Sequence, residues 1–285
     1  MTDSDTKCTV AMIGAGNMAR ALIGGLMRRG HPPNRLVAAD PDKDTRSSIE
    51  QEFGIAVHAT NEQAVAGADL VVLAVKPQVV DQVAASIAAV VDEKCVVISV
   101  AAGIPVSRLR LSLGANRVIV RVMPNTPALH GAGATGIFAA PGCSDAQLRA
   151  AAHLFESVGK VFPIEDESLM DVVTAVSGSG PAYFFALAEA LAEAGCNAGL
   201  DAATAHGLAT QTAAGAGAML GADGASAAEL RRRVTSPGGT TAAALDSLNQ
   251  NGFAPVIESA VSAAVQRGRE LGAESGLRKD ERGDS

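Results

Sequence analysis

With 285 residues, 48% of them apolar but only 3% aromatic, the chain is long enough for two ordinary domains with cores of Ala, Val, Leu and Ile. A net charge of −7 with scattered basic residues offers no cationic stripe for a phosphate backbone, so nucleic acid is not an expected partner and a small metabolite is. Residues 1–7 have no basic or apolar targeting region, and no apolar run approaches membrane-spanning length; a cytoplasmic protein with no membrane partner is expected.

The first apolar run, residues 8–13, reads as a strand. It leads through Gly14-Ala15-Gly16-Asn17-Met18-Ala19 into a helix over residues 20–29. A strand, a tight glycine turn and a helix start in that order make a pyrophosphate cradle. The first glycine permits the turn, the second lets backbone approach phosphate, and Ala19 allows the helix to pack closely. The anion then lies at the helix N-terminus, where unpaired N–H groups favour it.

A second strand over 35–39 ends on Asp40, followed by a helix over 41–53. A carboxylate there either accepts hydrogen bonds from an adenosine ribose, favouring NADH, or caps the helix starting at Pro41; Lys43 and Arg46 offset its repulsion of a 2′-phosphate. The pattern continues with a short strand over 55–57, a short helix from Asn61 to residue 66, and a buried strand over 69–75 stopped by Lys76-Pro77. Lys76 reads either as a cofactor contact or as a snorkelling surface lysine.

Helix 79–91, strand 95–100, the small turn Ala101-Ala102-Gly103, helix 105–111 and strand 117–123 follow. This alternation predicts a parallel, doubly wound α/β sheet. Weaker strands over 134–139 and 160–163, flanking a helix over 145–157, extend it. Ligand is then expected beyond the carboxyl ends of the strands, at Gly14 to Ala19, Asp40, Asn61, Ala74 to Pro77 and Val100 to Ala102. Pro124-Asn125-Thr126-Pro127 is a rigid loop that offers an Asn and a Thr to a ligand, or is a bare turn.

From about residue 166 strand signals stop. Ala-rich helices are expected over 167–176, 181–194, 201–220, 226–233, 241–249 and 255–271. Two glycine-rich interruptions, Ser177-Gly178-Ser179-Gly180-Pro181 and Ser236-Pro237-Gly238-Gly239-Thr240-Thr241, lie at helix starts and expose N–H groups and hydroxyls suited to a carboxylate. Cys8, Cys95, Cys143 and Cys196 lack CxxC spacing and read as reduced core thiols; no metal site is expected. The helical part has no lysine before the tail and one histidine, His206. Oxidation of an alcohol, which requires a base, is therefore disfavoured against reduction of a C=N bond, which enters already protonated.

GAGNMA at 14–19, AVKPQ at 74–78, RVMPNTPA at 121–128, DVVTAVSGSGPAY at 171–183 and SPGGTT at 236–241 together resemble the pyrroline-5-carboxylate reductases, over nearly the whole chain. The resemblance implies NAD(P)H-dependent reduction of 1-pyrroline-5-carboxylate to L-proline, the last step of proline biosynthesis. It implies a Rossmann-type dinucleotide-binding domain over 1–165 and an all-helical substrate-binding and dimerisation domain over 166–275; the charged residues 276–285 read by composition as a disordered tail. It also implies a homodimer with interlocked helical domains, extending to larger assemblies such as a decamer of dimers. Carried over by motif, Gly14, Ala15, Gly16, Asn17, Met18, Ala19, Asn61, Ala74, Val75, Lys76, Pro77, Val100, Ala101 and Ala102 hold NADP(H) or NAD(H), with Asp40 beside them. Glu167, Ser236, Gly238, Gly239, Thr240 and Thr241 line the substrate side, Thr241 acting on the ring nitrogen. The rivals are a β-hydroxyacid dehydrogenase, whose chemistry looks for a lysine in the helical domain, and a non-catalytic dinucleotide sensor.

Overall fold

A computed structural model describes residues 8–222 and 224–277. These form two compact units, residues 8–178 with 264–277, and residues 179–263. In the first, short β-branched runs make an eight-stranded sheet. Its strands are β1 Val10–Ile13, β2 Leu36–Ala39, β3 Ala56–His58, β4 Leu70–Leu73, β5 Val96–Ser99, β6 Val118–Met123, β7 Gly133–Ala139 and β8 Gly159–Pro163. The order is β3-β2-β1-β4-β5-β6-β7-β8, so the chain reverses direction across the sheet between β1 and β4.

Strands β1 to β6 pair in parallel. β7 does not: it runs antiparallel to β6, with Arg121 opposite Phe138. The connection between them holds only a short 3-10 turn, Thr126–His130, whereas a parallel return needs a full crossover. β8 lies parallel to β7, and so opposite in direction to β1 to β6, because helix Asp145–Glu156 supplies a crossover between the two.

Both sheet faces are covered, which explains why the strands read as continuous apolar runs. On one face Met12, Ala38, Val72, Ile98 and Val120 pack with Leu22 and Ile23 of α1 (Asn17–Arg28), Ile49 of α2 (Lys43–Phe53) and Phe155 of the helix Asp145–Glu156. On the other, Ile13, Val71, Val97 and Ile119 meet Val65 of α3 (Asn61–Val65), Val80 and Ile87 of α4 (Val80–Ile87), Leu109 of α5 (Val106–Leu113), and Met170. We label Asp145–Glu156 α6 and Met170–Val173 α7. The four cysteines are free thiols. Burial, reinforced by Asp69, pushes the Cys95 thiol up to about 12, so it remains a neutral core group.

Several helix boundaries differ from expectation, two of them for a local reason. α2 starts at Lys43, not Pro41, because Asp42 is its N-cap and accepts the Thr45 N–H at 2.7 Å. The Ser177–Pro181 stretch is no open loop. α7 continues into a π-helical turn, Thr174–Gly178, that runs into α8, Gly180–Asn197. The Ser177 hydroxyl donates to the Val173 carbonyl (2.9 Å), and Asn125 Nδ2 donates to the Ser177 carbonyl (3.0 Å).

The second unit is helical: α8, α9 (Ala202–Ala222), α10 (Ala227–Arg233), α11 (Thr240–Gln250) and the first part of α12 (Phe253–Leu277). α8 and α9 pack closely where Gly195 faces Ala205. α12 runs past the expected end at residue 271. The compact units divide at Gly178 rather than at the expected 165/166 because the helical residues 167–178 pack on the sheet: Met170 enters its core and Val173 fills the space above Gly136. The tail expected over 276–285 lies, after Leu277, outside the described residues.

Candidate active site

Because β1 to β5 are parallel, the segments after them all emerge at one edge of the sheet. Gly14 to Ala19, Asp40, Asn61, Ala74 to Pro77 and Val100 to Ala102 are thereby brought to that edge. The β1 and β4 loops meet at the reversal point, where α/β sheets bind ligands. Gly14 has φ +91°, and a Cβ on it would lie 2.9 Å from the Ala74 carbonyl oxygen and from Val75 Cγ1. Only glycine fits there.

Gly16 is the opposite case. It is exposed, and a Cβ on it would meet nothing within 4 Å. It is also the N-cap of α1, with no side chain capping that end and no acidic residue in the first turn. The open space and the uncapped helix end fit the diphosphate of a dinucleotide. Ala15 and Ala19 are fully buried and act as packing residues, while Asn17 is exposed.

Asp40 is tied into this turn. Its Oδ2 accepts the Ala15 N–H and its Oδ1 the Asp42 N–H, each at 2.9 Å. It does not cap α2, so the capping alternative is replaced by a different one: the carboxylate braces the glycine turn. Arg46 donates to the carbonyls of Asp40 and Pro41, each at 2.8 Å, holding the backbone between β2 and α2. Asn61 Nδ2 donates to Ser86 Oγ at 3.3 Å. Lys76 is exposed at the start of a 3-10 turn begun by Pro77.

The β6–β7 loop turns inward. Asn125 is 9% exposed, and its Oδ1 accepts the Ala134 N–H at 2.9 Å while its Nδ2 reaches Ser177. The amide offered to a ligand is therefore spent inside the protein, joining the loop to the π-helical turn; Thr126 is exposed. Glu167 follows β8 in a 3-10 turn whose N-cap, Asp166, accepts the Ser168 N–H. Its Oε1 accepts from Arg121 Nη1 and from the Val106 N–H, both at 2.7 Å. Sequence reading singled out Glu167 by motif but not its two partners, which come from β6 and α5.

Within the helical unit, Ser236-Pro237-Gly238-Gly239 forms a tight turn. Gly238 has φ +69°, Pro237 precedes it, and the Gly239 N–H donates to the Ser236 carbonyl at 3.0 Å. Gly239 is the N-cap of α11 and no side chain caps that end. The turn thus presents the free N–H groups of an eleven-residue helix together with the hydroxyls of Thr240 and Thr241, an arrangement suited to a small carboxylate.

Comparison with known proteins agrees with both halves. Residues 9–103 match a family model described as NADP oxidoreductase coenzyme F420-dependent, and residues 167–271 match one described as pyrroline-5-carboxylate reductase dimerisation. A pyrroline-5-carboxylate reductase of Pseudomonas aeruginosa is 48% identical over 94% of this chain and 98% of its own. Among solved structures, one of a pyrroline-5-carboxylate reductase from Coxiella burnetii is 38% identical with a TM-score of 0.89, covering 93% of this chain and 98% of that one. The Plasmodium falciparum pyrroline carboxylate reductase, crystallised with NADP bound, is 29% identical with a TM-score of 0.80, covering 94% of this chain and 99% of that one. With the reversal-point cradle, the SPGGTT turn and this similarity along nearly the whole length, the chain belongs to the pyrroline-5-carboxylate reductase family.

Proposed function

We propose that this protein reduces 1-pyrroline-5-carboxylate to L-proline with NADPH or NADH, as the last step of proline biosynthesis in the cytoplasm. The observation that carries the substrate side is the uncapped N-terminus of α11 behind the Ser236–Gly239 turn. The reaction places a hydride on C5 and needs a proton on the ring nitrogen; reduced nicotinamide, when bound, supplies the hydride. The chain's own task is to bind and orient. Gly14 to Ala19 hold the diphosphate, Ala74 to Pro77 and Val100 to Ala102 line the remainder of the cofactor, and Asp40 and Asn61 flank it.

The SPGG turn takes the substrate carboxylate, with Ser236, Gly238 and Gly239 shaping it and the backbone N–H groups at the start of α11 from Thr240 donating, and the Thr241 hydroxyl orients the ring nitrogen. An imine is basic enough to arrive protonated, so this assignment asks for no strong acid. That agrees with a helical unit lacking lysine, whose single histidine, His206, is exposed. Positioning then supplies much of the acceleration.

The reading includes a homodimer with interlocked helical domains, open to further assembly up to a decamer of dimers. It is tested by following reduced-nicotinamide absorbance after adding 1-pyrroline-5-carboxylate. Turnover with either cofactor is expected, and Thr241→Val should lower kcat/KM about tenfold, the worth of one hydrogen bond to a charged group. No turnover by the wild type with either cofactor would reject the function; unchanged kinetics in the variant would reject only the role of Thr241.

A further inference from the structure

The connection from β5 to α5 carries Val100, Ala101 and Ala102, followed by Gly103. Small residues leave a smooth surface for a flat ligand, and the loop's own anchor is Ile104, fully buried in the core. Two further supports come from outside the loop.

One support is α12. Gly103 has φ +74°, and a Cβ on it would stand 3.2 Å from the Gly268 carbonyl oxygen and from the Gly272 nitrogen; a Cβ on Gly272 would come within 2.7 Å of the Gly103 carbonyl oxygen. Loop and helix therefore meet backbone against backbone, with no room for a side chain at Gly103 or Gly272.

The other support is Glu167. Its Oε1 accepts the N–H of Val106, the first residue of α5, and the Nη1 proton of Arg121, both at 2.7 Å. Arg121 is 8% exposed and lies in register with Ser99, the last residue of β5. The ion pair thus spans the two ends of the connection: Arg121 is anchored beside its entry and Val106 is its exit. A guanidinium so far from water requires a partner. That partner's remaining lone pair is used on a helix start that no side chain of α5 itself caps.

We propose that Glu167 is a positioning residue for the cofactor: braced by Arg121, it fixes the 100–105 loop through the Val106 N–H, and it does not contact the substrate. The proposal rests on the reading above that this loop lines the cofactor. It follows that loss of the brace loosens cofactor binding and leaves the SPGGTT turn untouched.

The test measures NADPH and NADH affinity by calorimetry, and KM for 1-pyrroline-5-carboxylate at saturating cofactor, in the wild type, Glu167→Ala, Glu167→Gln and Val106→Pro. Proline at the first helical position removes the N–H while keeping the ion pair, and Pro105 before it already has extended geometry. Glu167→Ala and Val106→Pro should each weaken cofactor binding about tenfold, the loss of one hydrogen bond to a charged acceptor. Glu167→Gln, which keeps an amide oxygen facing Val106, should recover most of the affinity, and substrate KM should stay within about twofold throughout, since binding at the turn is independent of the brace.

Unchanged cofactor affinity in Val106→Pro would overturn the proposal even if Glu167→Ala failed to fold. A rise in substrate KM alone would overturn it too and return Glu167 to the substrate side. A wild type that binds neither cofactor would instead remove the reading on which it rests.

Discussion

At the residue scale, Asp40 shows how one side chain fixes the turn beside it, and the proposed function gives it a second task in cofactor selectivity. Both carboxylate oxygens accept backbone N–H groups, from Ala15 and Asp42, so the negative charge is held against the glycine turn rather than swinging in solvent. With the cofactor placed as proposed, the remaining lone-pair positions would take ribose hydroxyls, while a 2′-phosphate would meet a fixed like charge. Asp40→Ser should therefore shift the ratio of kcat/KM for NADPH over that for NADH upward about tenfold. It should also weaken both cofactors by releasing the Ala15 N–H. Steady-state kinetics with the two cofactors check this, and an unchanged ratio would confine Asp40 to bracing the turn. The importance of Asp40 is legible in the sequence from its place after a strand. Its bond to Ala15 is not, because that contact joins residues twenty-five apart through the pairing of β1 with β2.

At the element scale, the turn from α1 to β2 carries a pH-sensitive residue. His31 is 5% exposed and receives the end of α1, its N–H donating to the Leu26 carbonyl. Burial holds its pKa below the ordinary 6.5, against the opposing pull of the Arg35 and Cys8 carbonyls. The folded protein therefore keeps the imidazole neutral where the unfolded chain would protonate it. This contribution is fully present above pH 6.5 and is lost as pH falls below that value toward the folded pKa. Denaturant unfolding from about pH 8 to about pH 5 should show stability declining below the midpoint of a free histidine. His31→Gln should flatten that decline relative to wild type, and identical pH slopes would exclude His31 as its source.

Elements of this kind were largely legible in advance. Apolar runs ending in Gly, Asp or Lys-Pro marked strands β1, β2 and β4, because strands buried on both faces leave an unbroken signal. The boundaries that shifted depended on local hydrogen bonds. Asp42 outcompeted Asp40 as the cap of α2, and Ser177 bonded back to Val173, continuing a helix through glycines and serines that otherwise mark a break.

At the scale of the whole molecule, the helical unit leaves a large amount of apolar surface uncovered in a single chain. Phe184 and Phe185 on α8 are 63% and 69% exposed, Leu208 on α9 57% and Val256 on α12 62%. So many exposed large apolar side chains in one unit point to an association surface, and residues 167–271 match the family's dimerisation model. Phe184→Glu with Phe185→Glu should cost the dimer about 2 kcal/mol or more for each aromatic lost from a buried interface. Light scattering after size exclusion should then report a monomer with little turnover. An unchanged mass would place the interface elsewhere.

The sequence alone determined that a strand, a glycine turn and a helix open the chain, that helices follow a doubly wound sheet, and which family the motifs resemble. These depend on local chemistry: glycine where φ is positive, apolar periodicity, and residues close together in the chain. Tertiary structure decided what depends on distant segments meeting. It turned β7 antiparallel for want of a crossover helix, drew Asn125 inward to the π-helical turn, and set Glu167 between Arg121 and the start of α5. A motif records that such a carboxylate matters; only the packed chain shows which hydrogen-bond donors reach it.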